Sequence, residues 1–426
     1  MSQPDETPTA AVASGGEPGS SGGPVLHPEA RGAGAWPAPS RLGTAGNTVA
    51  AVLLALLVGA VLIVVSTEEV QEASGYFFAR PQDTLAAAWT AVSEAYAALF
   101  AGSVLDLGAD SPSGALRPLT ETLVWATPLV AGGLAVALAF RTGLFNIGVE
   151  GQIILAAIFA AYVGFALDLP AGLHLLLAVV AGVVGGALWG GVVGVLKATT
   201  GAHEVIVAIM LNYVARFLVA YLLTTSAFRR EGRNDPISPP ILETAVLPRL
   251  FGDAHRLHAG ILLSLAAAVF VWWLLTRSTV GFRFRAVGQN PHAARTAGIS
   301  VERSYTGVML VCGGLAGLAG VAQVLGTERF LAGGVSSGLG FDAITVALLG
   351  RSSPVGAVAA GLLFGALRAG GLTMQARTGT SLDLVVVLQS LIVLFVAAPA
   401  LVRALRPRLP RRRRRAAEPA LAGGAR

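Results

Sequence analysis

Gly143-Leu144-Phe145-Asn146-Ile147-Gly148-Val149-Glu150-Gly151-Gln152 lies between two long apolar runs, Leu119–Phe140 and Ile153–Leu167. It puts three glycines, an Asn, a Glu and a Gln into an otherwise hydrophobic stretch. A carboxylate in hydrocarbon is costly and normally faces protein or a water-filled path. Glycine weakens helix and lets backbones approach closely. Irregular backbone survives at membrane depth only where protein or water satisfies it. The stretch reads as a break between two membrane helices that lines a polar feature.

Composition supports that setting. The 426 residues are 54% apolar and only 13% charged, with a mean hydropathy of +0.68. A soluble enzyme carries about 25% charged residues. Apolar segments of roughly 20 residues, the length that crosses a bilayer as helix, recur along the chain. The basic balance, 30 Lys and Arg against 24 Asp and Glu, comes mainly from a C-terminal run and does not point to nucleic acid. Lys197 is the only lysine, a bias that fits codon usage. Cys312 is the only cysteine, which excludes an internal disulfide, and its apolar context predicts a packed, inert thiol.

Residues 1–46 are rich in Gly, Pro, Ser and Ala and are expected to form a disordered cytoplasmic tail. The first apolar run starts too far in for a signal peptide. That run, Val49–Val65, stands between Arg41 and the acids Glu68, Glu69 and Glu72, so the positive-inside rule puts the N-terminus in the cytoplasm. Residues 67–117 form an extracytoplasmic insert, in which Leu85–Leu105 is expected as an amphipathic helix on the bundle or membrane. Leu119–Phe140 ends at Arg141, Ile153–Leu167 goes out, and the glycine-rich Leu173–Leu196 returns to Lys197. Val205–Leu223 follows and carries Asn212, Tyr213 and Arg216. An outside loop covers 226–258, with His255 and His258 expected to be solvated and without partners. Ala259–Leu275 leads back to a cytoplasmic loop, 277–303, holding Arg277, Arg283, Arg285, Arg295 and Arg303. There Asn290-Pro291 starts a short helix and Gly298 stops it.

Tyr305–Leu325, Pro354–Ala369 and Leu382–Val402 are clear spans. The tail 403–426 carries eight arginines between Arg403 and Arg415, and belongs at the anionic inner leaflet. Three crossings would leave it outside. Leu339–Leu349, short, glycine-flanked and carrying Asp342, supplies the fourth as a second broken element. Interrupted hydrophobic segments in both halves of a transporter mark its translocation site. The expected fold is an all-α polytopic membrane protein with about ten transmembrane or half-membrane helices and two broken segments, the permease domain covering 47–402.

No catalytic constellation is present. The sequence has no GxxxxGK[ST] phosphate loop. Its six histidines lack metal-ligand spacing, and Glu150, Glu204 and Asp342 are scattered. The expectation is a transporter component rather than an enzyme, with no metal and no cofactor bound by this chain. An ion-gradient-driven secondary transporter stays open on this reading.

Four blocks resemble a known family. GLFNIGVEGQIILAA and AHEVIVAIMLNYVA are similar to permease subunits of ATP-binding-cassette (ABC) importers of the ribose and branched-chain amino acid type, closest to the nucleoside branch. FRAVGQNPHAARTAGI resembles that family's cytoplasmic coupling loop, and GLGFDAITVALLGRSSPVGAVAAGLLFGALRAGG its late re-entrant region. The resemblance covers roughly 119–402. It implies an importer that carries nucleosides, or sugars or branched-chain amino acids instead. It also implies a second permease subunit, identical or related, ATPase subunits that use the ATP, and an extracytoplasmic substrate-binding lipoprotein. The expected location is the cell membrane, multi-pass, with both termini cytoplasmic by their flanking charges. The substrate path is then expected at Asn146, Glu150, Gln152, Asn212 and Asp342. The ATPase-coupling element is expected at Arg285, Gly288, Asn290, Pro291, Ala294, Arg295 and Gly298.

Overall fold

A computed structural model of the chain describes residues 41–233 and 235–397. The first helix, α1, is Arg41–Ser66. The chain from Gly46 forms the body considered below. Residues 41–46, expected to be disordered, are therefore helical, as the first turns of α1. The rest of the expected N-terminal tail, and the Arg-rich tail 403–426, lie outside the described residues.

Two further helices fill the insert, α2 (Glu68–Ser74) and α3 (Pro81–Ser103). The first half of the bundle continues with α4 (Pro112–Arg141), α5 (Val149–Ala166), α6 (Leu173–Thr200) and α7 (Glu204–Leu222). Then come α8 (Gly260–Arg277), α9 (Thr279–Gln289), α10 (Pro291–Thr296) and α11 (Val301–Val321), which a π-helical segment, Ala322–Glu328, prolongs. The chain closes with α12 (Leu339–Leu349), α13 (Pro354–Thr378) and α14 (Leu382–Ala397). Eight of these are long and apolar enough to cross a membrane, and α12 and α14 are shorter apolar helices. The protein is a polytopic membrane protein, and the ten apolar segments fall where the sequence places them, the end of the last, 398–402, lying outside the described residues.

α4 is the axis of the bundle. Every residue from Ala126 to Ala139 is buried, against α11, α12 and α13. Lipid offers no hydrophobic drive between helices, so close packing of small residues has to hold them. The α6–α11 pair does this: a Cβ on Gly186 would lie 2.4 Å from the Gly313 carbonyl oxygen. Cys312, beside that contact, is wholly buried. The expected amphipathic helix is α3, which packs on α13, and its Tyr96 hydroxyl donates to the Leu56 carbonyl of α1.

The stretch 277–303 is not a loop. Ser278 caps α9, its Oγ accepting from Gly281 N at 2.9 Å. Phe284 and Val287 face inward at helical spacing, while the arginines point elsewhere. The short helix starting at Asn290-Pro291 is α10; Asn290 Oδ1 accepts from His292 N and Ala293 N at 3.0 and 3.1 Å. Gly298 follows it at φ +77°, a left-handed conformation that favours glycine. This end of the bundle, with Arg141, Lys197 and the α9–α10 arginines, is the basic end. Lys197 bonds Glu204 Oε2 at 2.7 Å there and lies over the Tyr305 ring.

At the opposite end, 235–258 folds down as a cap rather than standing out as a loop. Ile241, Ala245 and Leu247 are buried against α5, α7 and the π-helical segment. His255 and His258, expected to be solvated, are buried and bonded. His255 meets Thr120 Oγ1 at 3.1 Å and Ser113 Oγ at 3.3 Å. His258 Nδ1 accepts from Gly260 N at 3.2 Å, so its Nε2 carries the proton toward Thr327 Oγ1, 3.3 Å away. These partners are far off in sequence, which hid them.

Burial, followed by the nearby charges of Arg256 and Arg329, lowers the His258 pKa from 6.5 to about 4. The unfolded chain therefore takes up this proton more readily than the fold does. The stability it represents is present above pH 6.5 and drains away as pH falls toward 4, by about 3 kcal/mol in total. Thermal unfolding in detergent between pH 7 and pH 4 should show this loss, and His258→Asn should flatten it; an unchanged slope would count against the assignment.

Candidate functional site

The first break does not lie at the surface of the bundle. After Arg141 the chain turns and climbs back beside α4 in non-helical conformation from Gly143, and α5 begins only at Val149, packed against Gly132. Gly132 lies nine positions before Arg141 on α4, about 13 Å of helix. The start of α5 is thus well inside the bundle, away from its basic end. Such a climb leaves backbone groups without helical partners, and three amide side chains satisfy them. Asn146 and Gln152, both wholly buried, exchange two amide hydrogen bonds at 3.1 Å. Asn146 Oδ1 also accepts from Gly148 N at 3.1 Å. From α7, Asn212 Oδ1 accepts from Gly151 N at 2.9 Å and its Nδ2 donates to the Ile147 carbonyl at 3.0 Å. A methyl on Gly151 would sit 2.9 Å from Asn212 Oδ1, so glycine is required for that approach.

The second break mirrors this. From the far end, residues 329–338 descend without regular structure, and α12 completes the crossing to the basic end. Ser337 and Gly338 adopt positive φ at the turn into α12. Glu150 joins the two breaks. Its Oε2 accepts from Gly340 N at 2.8 Å and its Oε1 from Gly338 N at 3.3 Å. Glu150 lies in the first turn of α5 and caps the start of α12. One carboxylate therefore faces the N-terminal ends of two helices and ties the two breaks together.

Beside this joint is a cavity of about 670 Å³, within the range of small-molecule sites. Glu150, Asn212, Tyr213, Arg216, Ser336, Ser337 and Phe341 supply its polar and aromatic lining, and Ile147, Ile154, Ile209 and Ile344 its aliphatic walls. Of the five residues expected on a substrate path, the structure brings Glu150 and Asn212 to this cavity. Asn146 and Gln152 stand behind the wall and hold it in shape. Asp342 points to the other side of α12, where it pairs with Arg368 of α13; the Arg368 guanidinium lies 5.5 Å from the Trp125 ring. The sequence reading did not nominate Arg216, Tyr213 or Phe341. An arginine inside a membrane helix was the available signal.

The expected coupling residues gather at the basic end. Gly288, near the end of α9, is pressed against the first break: a Cβ there would lie 2.4 Å from the Thr142 carbonyl carbon. Ala294 of α10 is buried with Val287 and Val301. Arg295 pairs with Glu302 at 2.7 Å, Asn290 and Pro291 open α10, and Arg285 is half-buried on α9. Among the described residues no group of three or more His, Cys, Asp or Glu is placed to hold a metal ion.

Residues 119–397 match the family model described as branched-chain amino acid transport system / permease component. A guanosine ABC transporter permease of Bacillus subtilis is 42% identical over 68% of this chain and 84% of its own length. A glucose ABC transporter permease of Haloferax volcanii is 38% identical over 65% and 75%. A nucleoside ABC transporter permease of Lactococcus lactis is 34% identical over 70% and 84%. No solved structure matches the chain.

Proposed function

The chain belongs to the family of branched-chain amino acid transport system permease components, and from that premise we propose that it is the membrane-spanning subunit of an ATP-driven nucleoside importer. The observation that carries the reading is the cavity at the joint of two broken helices, with hydrogen-bonding groups at Glu150 and Asn212 and ring faces at Tyr213 and Phe341. A nucleoside offers sugar hydroxyls and base edges to the first pair and a flat base to the second. Its lining is only partly polar, which suits passage and release better than tight capture.

In this reading the basic end faces the cytoplasm, with both termini there. Two permease subunits, the same or related, flank the path, and an extracytoplasmic lipoprotein delivers substrate. ATP is bound and hydrolysed by separate subunits docked on α9 and α10, and this chain holds no cofactor. The Thr142–Gly288 contact gives those helices a direct hold on the first break. Bulky substitutions at Ala293, which is exposed, should leave ATP hydrolysis running while uptake falls at least about tenfold, an uncoupling of more than about 1.4 kcal/mol. ATPase and uptake rates measured side by side in proteoliposomes check this; unchanged coupling would remove α10 from the docking surface.

The similarity to a glucose permease supports sugar as the second reading. Uptake of labelled guanosine, competed separately by adenosine, glucose, ribose and leucine, separates the two. Guanosine uptake that needs this gene and ATP, and that adenosine displaces, is the expected result. Displacement by glucose or ribose with no nucleoside effect would move the substrate to sugar. Uptake that ignores ATP would overturn the importer mechanism itself.

A further inference from the structure

Arg216 is an exposed charge on a helix long and apolar enough to cross a membrane. It sits in the membrane helix α7 and lines the cavity. It lies twelve positions after the first residue of α7 and six before the last. Among the described residues no ion pair includes it. Arg368, by contrast, has Asp342, and Lys197 has Glu204. A guanidinium carries five donors and no acceptor, and at membrane depth such a group pairs or serves a polar path. Arg216 follows Asn212 by four residues, on the same face of α7 and about 6 Å further from the basic end. Asn212 and Tyr213 stand nearer the basic end of α7 than Arg216, and all three line the cavity together with Glu150.

Resting on the nucleoside reading, we propose that Arg216 selects 6-oxopurine nucleosides, donating two parallel hydrogen bonds to O6 and N7 of the base. The planar fork of arginine matches that acceptor pair, the commonest specific arginine contact to guanine. Adenine presents N7 beside an amino donor, so one N–H of the fork meets another donor. Pyrimidines lack the N7–O6 pair altogether. Tyr213 and Phe341 offer ring faces on which a base can stack whatever its edge, so they supply hold without choice. Glu150 has lone pairs beyond the two it spends on Gly338 and Gly340, and it can accept from the N1–H of the same base.

The test uses the permease with its ATPase subunits in nanodiscs, without the binding protein, so that the permease alone discriminates. Displacement of labelled guanosine is measured with guanosine, 7-deazaguanosine and adenosine. In the wild type, 7-deazaguanosine, which lacks the N7 acceptor, should displace about tenfold less well than guanosine, and adenosine less well still. In Arg216→Gln the guanosine and 7-deazaguanosine values should converge to within about twofold, and Arg216→Lys should fall between. The lysine variant and the wild-type ligand series keep the test decisive if Arg216→Gln fails to assemble. Equal displacement by guanosine and 7-deazaguanosine in the wild type would overturn the proposal. So would a gap that persists in both variants, with binding of every nucleoside weakened alike; Arg216 would then serve a partner chain or a lipid phosphate. ATP-dependent guanosine uptake by the complete transporter is run alongside. Its presence with either adverse result overturns only the role of Arg216. Its absence overturns the nucleoside reading, and this inference with it.

Discussion

Glu150→Gln is expected to lower uptake at least about tenfold while the protein still inserts and assembles. The carboxylate holds Gly338 N and Gly340 N, one on each oxygen. Glutamine keeps a single acceptor oxygen and turns an NH2 group toward the other amide. A buried donor left without a partner costs about 1–3 kcal/mol, and about 1.4 kcal/mol is already tenfold. The variant also removes the negative charge that faces two helix starts. Both effects fall on the joint between the breaks and spare the long helices that decide insertion. Glu150→Asp tests the geometry separately: it keeps the charge, yet it is one methylene too short to span both amides, so it should recover only part of the loss. Uptake per inserted molecule is the measurement. Wild-type rates in Glu150→Gln would show that this joint plays no part in transport.

The second large effect concerns Asp342. The sequence made it a residue of the substrate path, but its ion pair with Arg368 lies on the face of α12 away from the cavity. Asp342→Asn should therefore act first on stability. Breaking a buried pair from one side costs about 3–5 kcal/mol, because the remaining charge is stranded. Both side chains keep about a quarter of their exposure, 25% and 26%, so the lower end, about 3 kcal/mol, is expected. Replacing both partners, Asp342→Asn with Arg368→Met, should recover most of the thermal stability and most of the uptake, since no charge is left behind. Thermal unfolding in detergent and uptake in the same preparations decide the matter. A double variant that is stable yet inactive would return Asp342 to the substrate path.

The apolar spans were legible because bilayer thickness imposes a length that any window of sequence can be measured against. The first break was legible because Asn, Glu and Gln have no other reason to stand between two such spans. α12 needed one further step, the parity of crossings, and its bounds, Leu339–Leu349, agree with the sequence reading. Which polar residue faces the cavity was not legible. Asn146 and Gln152 are six apart across an irregular backbone, so no helical period predicts that they meet. The partner of Asp342 sits 26 residues on, inside an apolar run that reads as an ordinary span. The helical nature of 279–289 was masked by its arginines and glycines; the inward pair Phe284 and Val287 was the sign to weigh. The histidines of the cap find partners as much as 142 residues away, a distance over which local pattern is silent.

The wholly buried position of Cys312 has a practical consequence. It is the chain's only thiol, locked beside the α6–α11 contact. Maleimide or nitroxide reagents would find nothing native to modify, so a cysteine introduced at Ser337 or Ala293 would be a single reporter on an otherwise silent background. Paired labels at those two positions would read, as a distance distribution, whether the mouth of the cavity and the docking helices move together during a transport cycle.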